Sequence, residues 1–296
     1  MPDRSTAPAA FGATDALLLL MAVIWGVNYS AVKYGSLALT PLAFTWLRVF
    51  TAMLTLMTVA AIQRNRWPAR RDVLWLMALG VLGNGFYQLF FVFGVSRTRV
   101  ADAALIVAAM PAFIALISRV RGVERVRPRA IGGILLSVAG VGIVMLGSTA
   151  AENTKGSAFG ALLVFIGVLC WSIFTVAMQP FTHRVNPVQL NALTMTGGML
   201  PLLFLTPFAF TAIQWGNVSA VAWGCLLYSS VISIGLAYLF WYRGIRVLGP
   251  TRASVYGNLQ PIVAILFGWM ALHEAPTVWQ IVGTVTIVGG IFLTRA

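Results

Sequence analysis

Charged side chains are scarce in this chain. They make up 9% of its 296 residues, against about 25% in a soluble domain. So few charges cannot build a water-facing surface, so lipid must cover the outside. Acidic residues are scarcer still. The seven are Asp3, Asp15, Asp72, Asp102, Glu124, Glu152 and Glu274, and all fall at termini, in connections or at the ends of apolar runs. Proton and sodium coupling commonly use an intramembrane carboxylate. Its absence points to a facilitator, or to coupling through an unusual group such as Asp102. It also argues against a small dication as cargo, because a dication wants a buried counter-charge.

Cysteine and histidine are nearly absent too. Cys170 and Cys225 lie inside apolar runs and form no CxxC. They read as small core hydrophobes, with no metal set implied. His183 and His273 fall at run ends, far apart in sequence. No nucleophile with its base, no carboxylate pair and no metal cluster is found, so an enzyme is not expected. No repeated filter segment suggests a channel. No cofactor is implied. No short apolar region with a cleavage site precedes the first long run, so residues 1–14 read as a retained polar tail.

Hydrophobic residues are abundant, at 59%. A membrane helix needs about 20 mostly apolar residues. Ten such runs are present, roughly 15–34, 41–62, 73–95, 102–120, 130–148, 157–179, 187–210, 219–242, 251–271 and 277–294. The expected fold is an all-α membrane protein of ten transmembrane helices. Asp15, Asp72, Asp102, Ser157, Ser219 and Thr277 are candidate helix caps. The net charge of +13 would suggest nucleic acid in a soluble protein. Here the arginines cluster between apolar runs. With both termini cytoplasmic, fifteen Arg and Lys fall inside and four outside, with Arg48 within the second run. The positive-inside rule accounts for this charge, places both termini in the cytoplasm and leaves no role for nucleic acid. The expected location is a bacterial plasma membrane, crossed several times.

The two halves repeat at a slowly drifting offset. Trp25 matches Trp171 and Pro41 matches Pro187 at 146 residues; Trp75 matches Trp223 at 148. Leu89-Phe90, Gly94, Pro111, Glu124, Gly133 and Gly140 match residues 150 further on. The repeats are 15–148 and 157–294. An odd number of helices per repeat forces the second to enter the membrane upside down. Inverted five-helix repeats are an architecture of alternating-access transporters.

These residues resemble the drug/metabolite transporter superfamily, in its EamA-type branch. The resemblance rests on Trp25 with Asn28, Thr40-Pro41 followed by Arg48, the Pro111 segment, Gly122-Val123-Glu124-Arg125, Ile131-Gly132-Gly133 and Gly140-Val141. The second half repeats it more loosely as His273-Glu274, Ile281-Val282-Gly283 and Gly289-Gly290. Within the superfamily the chain looks most like the YddG-type aromatic amino-acid exporters. That likeness implies export of aromatic and other neutral amino acids. Lipophilic cationic drugs and other metabolites are the competing cargo classes.

A solute without two-fold symmetry needs contacts that break the repeat. Asn84, Tyr87, Gln88 and Phe91 share one face of the third run, yet their partners at offset 150 are Ile234, Ala237, Tyr238 and Trp241. Tyr256, Asn258 and Gln260 stand in the ninth run opposite Ile106, Ala108 and Met110. Trp25, Asn28 and Tyr29 in the first run, Trp171 and Phe174 in the sixth and Tyr238 in the eighth complete the candidate binding set. Such groups line a cavity or hydrogen-bond between helices. Aromatic walls suit a flat or apolar solute by stacking, or a cation by its attraction to ring faces.

Pro111 and Pro261 are expected to kink their helices and bend during gating, freeing the carbonyls of Val107 and Gly257. Arg48 has no partner in the second half, where Thr194 stands. It can hold a carboxylate bidentately, snorkel to the surface or brace another helix.

Overall fold

The computed structural model describes residues 12–122, 132–133, 135–136, 138–143, 146, 157–273 and 277–295. The chain is a multi-pass membrane protein. Among the described residues, seven helices are long and apolar enough to cross a bilayer, and none of these residues forms a strand. The seven are α1 (Ala13–Leu39), α2 (Pro41–Ile62), α3 (Arg70–Arg97), α4 (Val100–Val120), α5 (Ser157–Thr182), α7 (Ala220–Leu248) and α8 (Pro250–Leu272), and two further helices are α6 (Pro187–Phe204) and α9 (Val278–Arg295). Residues 132–133, 135–136 and 138–143 are helical within the expected fifth run. Its other residues except Leu146, residues 1–11 of the tail, the motif after Gly122, the connection before Ser157 and Glu274 lie outside the described residues.

Helix starts follow the caps, with one systematic correction. Ser219 caps α7, its Oγ accepting from Ala222 N–H at 3.2 Å, and Thr277 and Gln280 close a reciprocal box at the start of α9. Asp15, Asp72 and Asp102 are not the caps expected. Each sits in the third helical position, behind Gly12, Ala69 and Arg99. A carboxylate there still faces the positive end of the helix dipole, and Asp15 reaches back to Gly12 N–H at 2.8 Å. Pro41 and Pro187 each open a helix whose missing donor is one the first turn leaves unpaired anyway.

Two helices widen and two break at matched places. A π-helical turn interrupts α3 at Val81–Phe86 and α7 at Tyr228–Leu236. In α4 the helix interrupts at Ala109, just before Pro111. In α8 a 3-10 turn covers Tyr256–Leu259, just before Pro261.

Packing is reciprocal. α1 lies against α7 and α8; the matched helix α5 lies against α3 and α4. α2 meets the π turn of α7, and α6 meets that of α3. Directions follow from particular contacts. Tyr29 meets Phe91 edge-to-face and Lys33 donates to the Thr98 carbonyl, so α1 and α3 run the same way. Asn28 meets Ser229 and Tyr34 meets Ser219, so α1 and α7 run oppositely. Gly94 abuts Val164 and Gly83 abuts Phe174, so α3 and α5 run oppositely too. Matched helices therefore point in opposite directions.

Candidate functional site

Where α1, α2, α3, α4, α5, α7 and α8 converge, a cavity is lined by Trp25, Asn28, Tyr29, Arg48, Tyr87, Phe91, Val107, Met110, Trp171, Ser233, Tyr238 and Gln260. Its aromatic wall is continuous. The ring of Trp171 lies 4.8 Å from Tyr87, 5.1 Å from Tyr238 and 6.1 Å from Trp25, centroid to centroid. Trp25 is also 5.7 Å from Tyr238 and nearly perpendicular to it. These are the edge-to-face and tilted arrangements that ring quadrupoles favour.

Trp25 and Trp171 hold matched positions in the two halves, and so do Gln88 and Tyr238. Both pairs meet. Gln88 Nε2 donates to Tyr238 Oη at 3.0 Å. Residues related by a two-fold operation touch each other only near its axis. The cavity therefore lies at the centre of the duplication.

Polar contacts fix the wall. Trp25 Nε1 donates to the Ser233 carbonyl at 3.0 Å, and Ser229 Oγ donates to Asn28 Oδ1 at 2.7 Å. Tyr29 Oη donates to Gln260 Oε1 at 3.4 Å. Arg48 is 3% exposed, and its Nε donates to the Ser229 carbonyl at 3.4 Å. Its guanidinium carbon stands 5.9 Å from the centre of the Phe91 ring. The π turn of α7 supplies the acceptors here. Widening the helix turns carbonyls outward, and side chains of α1 and α2 take them up.

The structure thus brings together Trp25, Asn28, Tyr29, Tyr87, Phe91, Trp171, Tyr238 and Gln260 from the sequence-predicted set. Gln88 and Phe174 lie just behind the wall, Gln88 bonded to Tyr238 and Phe174 packed 5.2 Å from Trp171. Asn84, Tyr256 and Asn258 do not line this cavity. Asn84 is fully buried against Gly198 of α6. It lies in the π turn, whose extra residue rotates it off the face that carries Tyr87, Gln88 and Phe91. Tyr256 bonds Asp15 of α1 instead. The 3-10 turn over Tyr256–Leu259 winds tighter than an α-helix, so neither Tyr256 nor Asn258 shares the face of Gln260. Pro111 and Pro261 stand at the breaks of α4 and α8, but the Gly257 carbonyl is not free: Gln260 N–H bonds it.

Arg48, Ser233, Val107 and Met110 also line the cavity. The serine run Ser229-Ser230…Ser233 in an apolar helix was the available sequence signal for part of this wall. Asp102, placed by sequence at a helix end, is 2% exposed and accepts from Gln280 Nε2 at 2.7 Å. Among the described residues, no group of His, Cys, Asp and Glu could hold a metal ion.

A second, larger cavity of about 560 Å³ lies at the end of the bundle where α5 meets α6 and α7 ends. Asn186, Leu190, Tyr242, Arg243 and Arg246 are on its wall. The central cavity keeps only about 30 Å³. Tyr238 lines the central cavity and Tyr242 the outer one, with their rings 6.0 Å apart. The two linings meet at this edge-to-face pair. Tyr242 Oη is held by Asn191 Oδ1 at 3.3 Å, and Asn191 Nδ2 donates to the Ile234 carbonyl at 3.0 Å. At the matched place in the first half the packing is tight. Phe44, partner of Leu190, is fully buried against Gly35.

Comparison with known proteins gives consistent results. The family model described as the EamA-like transporter family matches residues 13–146 and again 158–296. The uncharacterized transporter YyaM of Bacillus subtilis (strain 168) is 25% identical over 93% of this chain and 91% of its own. An uncharacterized transporter of Archaeoglobus fulgidus is 27% identical over 96% of this chain and 97% of its own. The uncharacterized inner membrane transporter YedA of Escherichia coli (strain K12) is 27% identical over 87% and 81%. A solved crystal structure superposes with a TM-score of 0.66 at 21% identity, covering 94% of this chain and 96% of that one, and shares its fold.

Proposed function

The chain belongs to the EamA-like transporter family, and from that premise we propose that it is a secondary transporter of aromatic and other neutral amino acids. It works by alternating access in the bacterial inner membrane, with net export. Ten helices form two inverted repeats, and both termini are cytoplasmic. Matched helices that run oppositely support the inversion, and the excess of arginine on one side supports the orientation.

One observation carries this reading. The aromatic cavity sits where matched residues of the two halves meet, Trp25 on Trp171 and Gln88 on Tyr238. A site on the axis is equally reachable from either side when the halves exchange conformations. The outer cavity beside Arg243 and Arg246 is then the cytoplasmic vestibule, with Tyr238 and Tyr242 closing the inner end. The central space of about 30 Å³ is far below the 300–1,000 Å³ of ordinary ligand sites. Solute entry therefore requires the rings to part. Among the described residues no carboxylate lines the cavity, which supports flux down the solute's own gradient.

The test is uptake of labelled tryptophan and phenylalanine into proteoliposomes holding the purified protein, against empty liposomes, with and without a pH gradient. Saturable uptake that ignores the pH gradient and is blocked by other aromatic amino acids is expected. Movement of a quaternary ammonium without amino-acid uptake would transfer the function to export of lipophilic cations. The cation on the cavity wall, Arg48, speaks against that outcome.

A further inference from the structure

Arg48 is a charge where charges are costly. It stands seven residues into α2, is 3% exposed and lines the central cavity. A guanidinium presents five donors in a planar fork. Nε is spent on the Ser229 carbonyl, and Phe91 lies under the guanidinium at 5.9 Å. Nη1 is fully buried and has no partner among the described residues. Ser233, on the same cavity wall but from α7, also has a buried hydroxyl without a partner. Among the described residues, two orphan donors from different helices therefore stand on one cavity with no carboxylate in its lining.

Bracing does not account for this arrangement. A brace to one carbonyl uses one donor, and an uncharged amide would supply it without the cost of burying a charge. The matched position in the other half carries Thr194, which bonds its own helix at the Asn191 carbonyl. The cation is thus confined to one half, at a centre where Trp25 meets its matched residue Trp171. A one-sided cation beside that matched pair reads the polarity of a solute.

We propose that Arg48 is a specificity-determining residue that binds the carboxylate of the transported solute, so that cargo must carry an acidic group beside its apolar part. This rests on the central cavity being the transport site. The fork meets a carboxylate with charge-assisted bonds, and Ser233 Oγ is a further donor to it. The aromatic wall takes the rest of the solute.

Three probes separate the chemistry: tryptophan, tryptophan amide, which has the ammonium but no carboxylate, and indole-3-propionate, which has the carboxylate but no ammonium. Binding is read as the ligand-induced shift in melting temperature of the purified protein in detergent, titrated to an apparent Kd. Transport is read separately, as competition for labelled tryptophan uptake. In the wild type, tryptophan and indole-3-propionate bind at least tenfold more tightly than the amide. Arg48→Gln weakens both carboxylates about 10- to 100-fold, as loss of a charged hydrogen-bonded contact does, and leaves the amide unchanged. Arg48→Lys keeps the charge without the fork and falls between.

Equal binding of acid and amide by the wild type overturns the proposal. So does an Arg48→Gln variant that weakens all three probes alike, which is what a brace would do. Should that variant not fold, the wild-type series and Arg48→Lys still decide. Arg48-dependent carboxylate binding without any uptake would keep this site and discard the transport reading. No binding of any probe overturns the proposal outright.

Discussion

The π turns of α3 and α7 occupy matched places in the two halves, and the protein holds them by different means. In α3 the turn and the residues leading into it are pressed against neighbouring backbone through glycine. A methyl on Gly80 would overlap the Thr194 carbonyl of α6, and one on Gly197 of α6 would overlap the Met77 carbonyl of α3. Gly198 fits against Asn84 just as closely, where an added Cβ would stand 2.6 Å from the asparagine Cβ. In α7 the turn is held by side chains that reach across. Trp25 takes the Ser233 carbonyl, Arg48 that of Ser229, and Asn191 those of Ile234 and Gly235. Close backbone packing has no slack, because interiors tolerate little overlap. Side-chain hydrogen bonds break by a rotamer change and re-form elsewhere. The α3 crossing is therefore the rigid joint and the α7 turn the adjustable one. The larger cavity lies beside the adjustable one, on the walls of α6 and α7.

Substitutions can break that comparison, and the largest effect belongs to the rigid joint. Gly197→Ala puts a methyl into fixed backbone of α3 and should cost about 3 kcal/mol of stability. Thermal denaturation in detergent checks this, and an unchanged melting temperature would mean the crossing is not tight. Trp25→Ala comes next. It removes a cavity wall and the donor to Ser233 together, and saturable uptake should fall roughly tenfold, the upper worth of an aromatic pair. Trp25→Phe keeps a ring without the donor and should recover part of the uptake.

Asn191→Leu acts on the adjustable joint alone. It frees the Ile234 carbonyl and the Tyr242 hydroxyl, a change of about 1 kcal/mol by the usual size of interhelical hydrogen bonds in membranes. The expected result is a small drop in melting temperature with a change of up to about fivefold in uptake rate. Tyr242→Phe removes one of those bonds and should give the same sign at about half the size. A large stability loss with Asn191→Leu, matching that of Gly197→Ala, would erase the distinction between the joints. The prolines should give the smallest stability effects and rank by burial. The most apolar stretch of α4 is 89% buried and that of α8 22%, so Pro111→Ala should perturb melting more than Pro261→Ala.

Much of this was legible from residues alone. The expected second run, 41–62, and the observed α2 coincide, and most others agree within a few residues, because a bilayer demands about 20 apolar residues wherever a helix crosses. Of the binding set, Trp25, Tyr87, Trp171 and Tyr238 stand together around the cavity because large polar-tipped aromatics deep in an apolar run have few other places to go. Asn84, Tyr256 and Asn258 stand off the cavity wall for a common reason. Helical-wheel reasoning assumes 3.6 residues per turn, and each of the three lies in a turn of another pitch. Asp102 read as a helix-end residue, and its burial beside Gln280 of α9 depends on a partner 178 residues away.

The sequence by itself determined the class, the helix spans and the duplication, since these depend on composition and on offsets that survive in one dimension. It also supplied the asymmetry between halves, Arg48 against Thr194 and Gln88 against Tyr238. Only the tertiary structure decided that Gln88 meets its own matched residue, that Arg48 stands on the cavity wall with a buried, unpartnered Nη1, and where the larger cavity lies. Those facts depend on the positions of helices relative to one another. That placement is set by small residues at crossings and by irregular turns, where local pattern carries the least information.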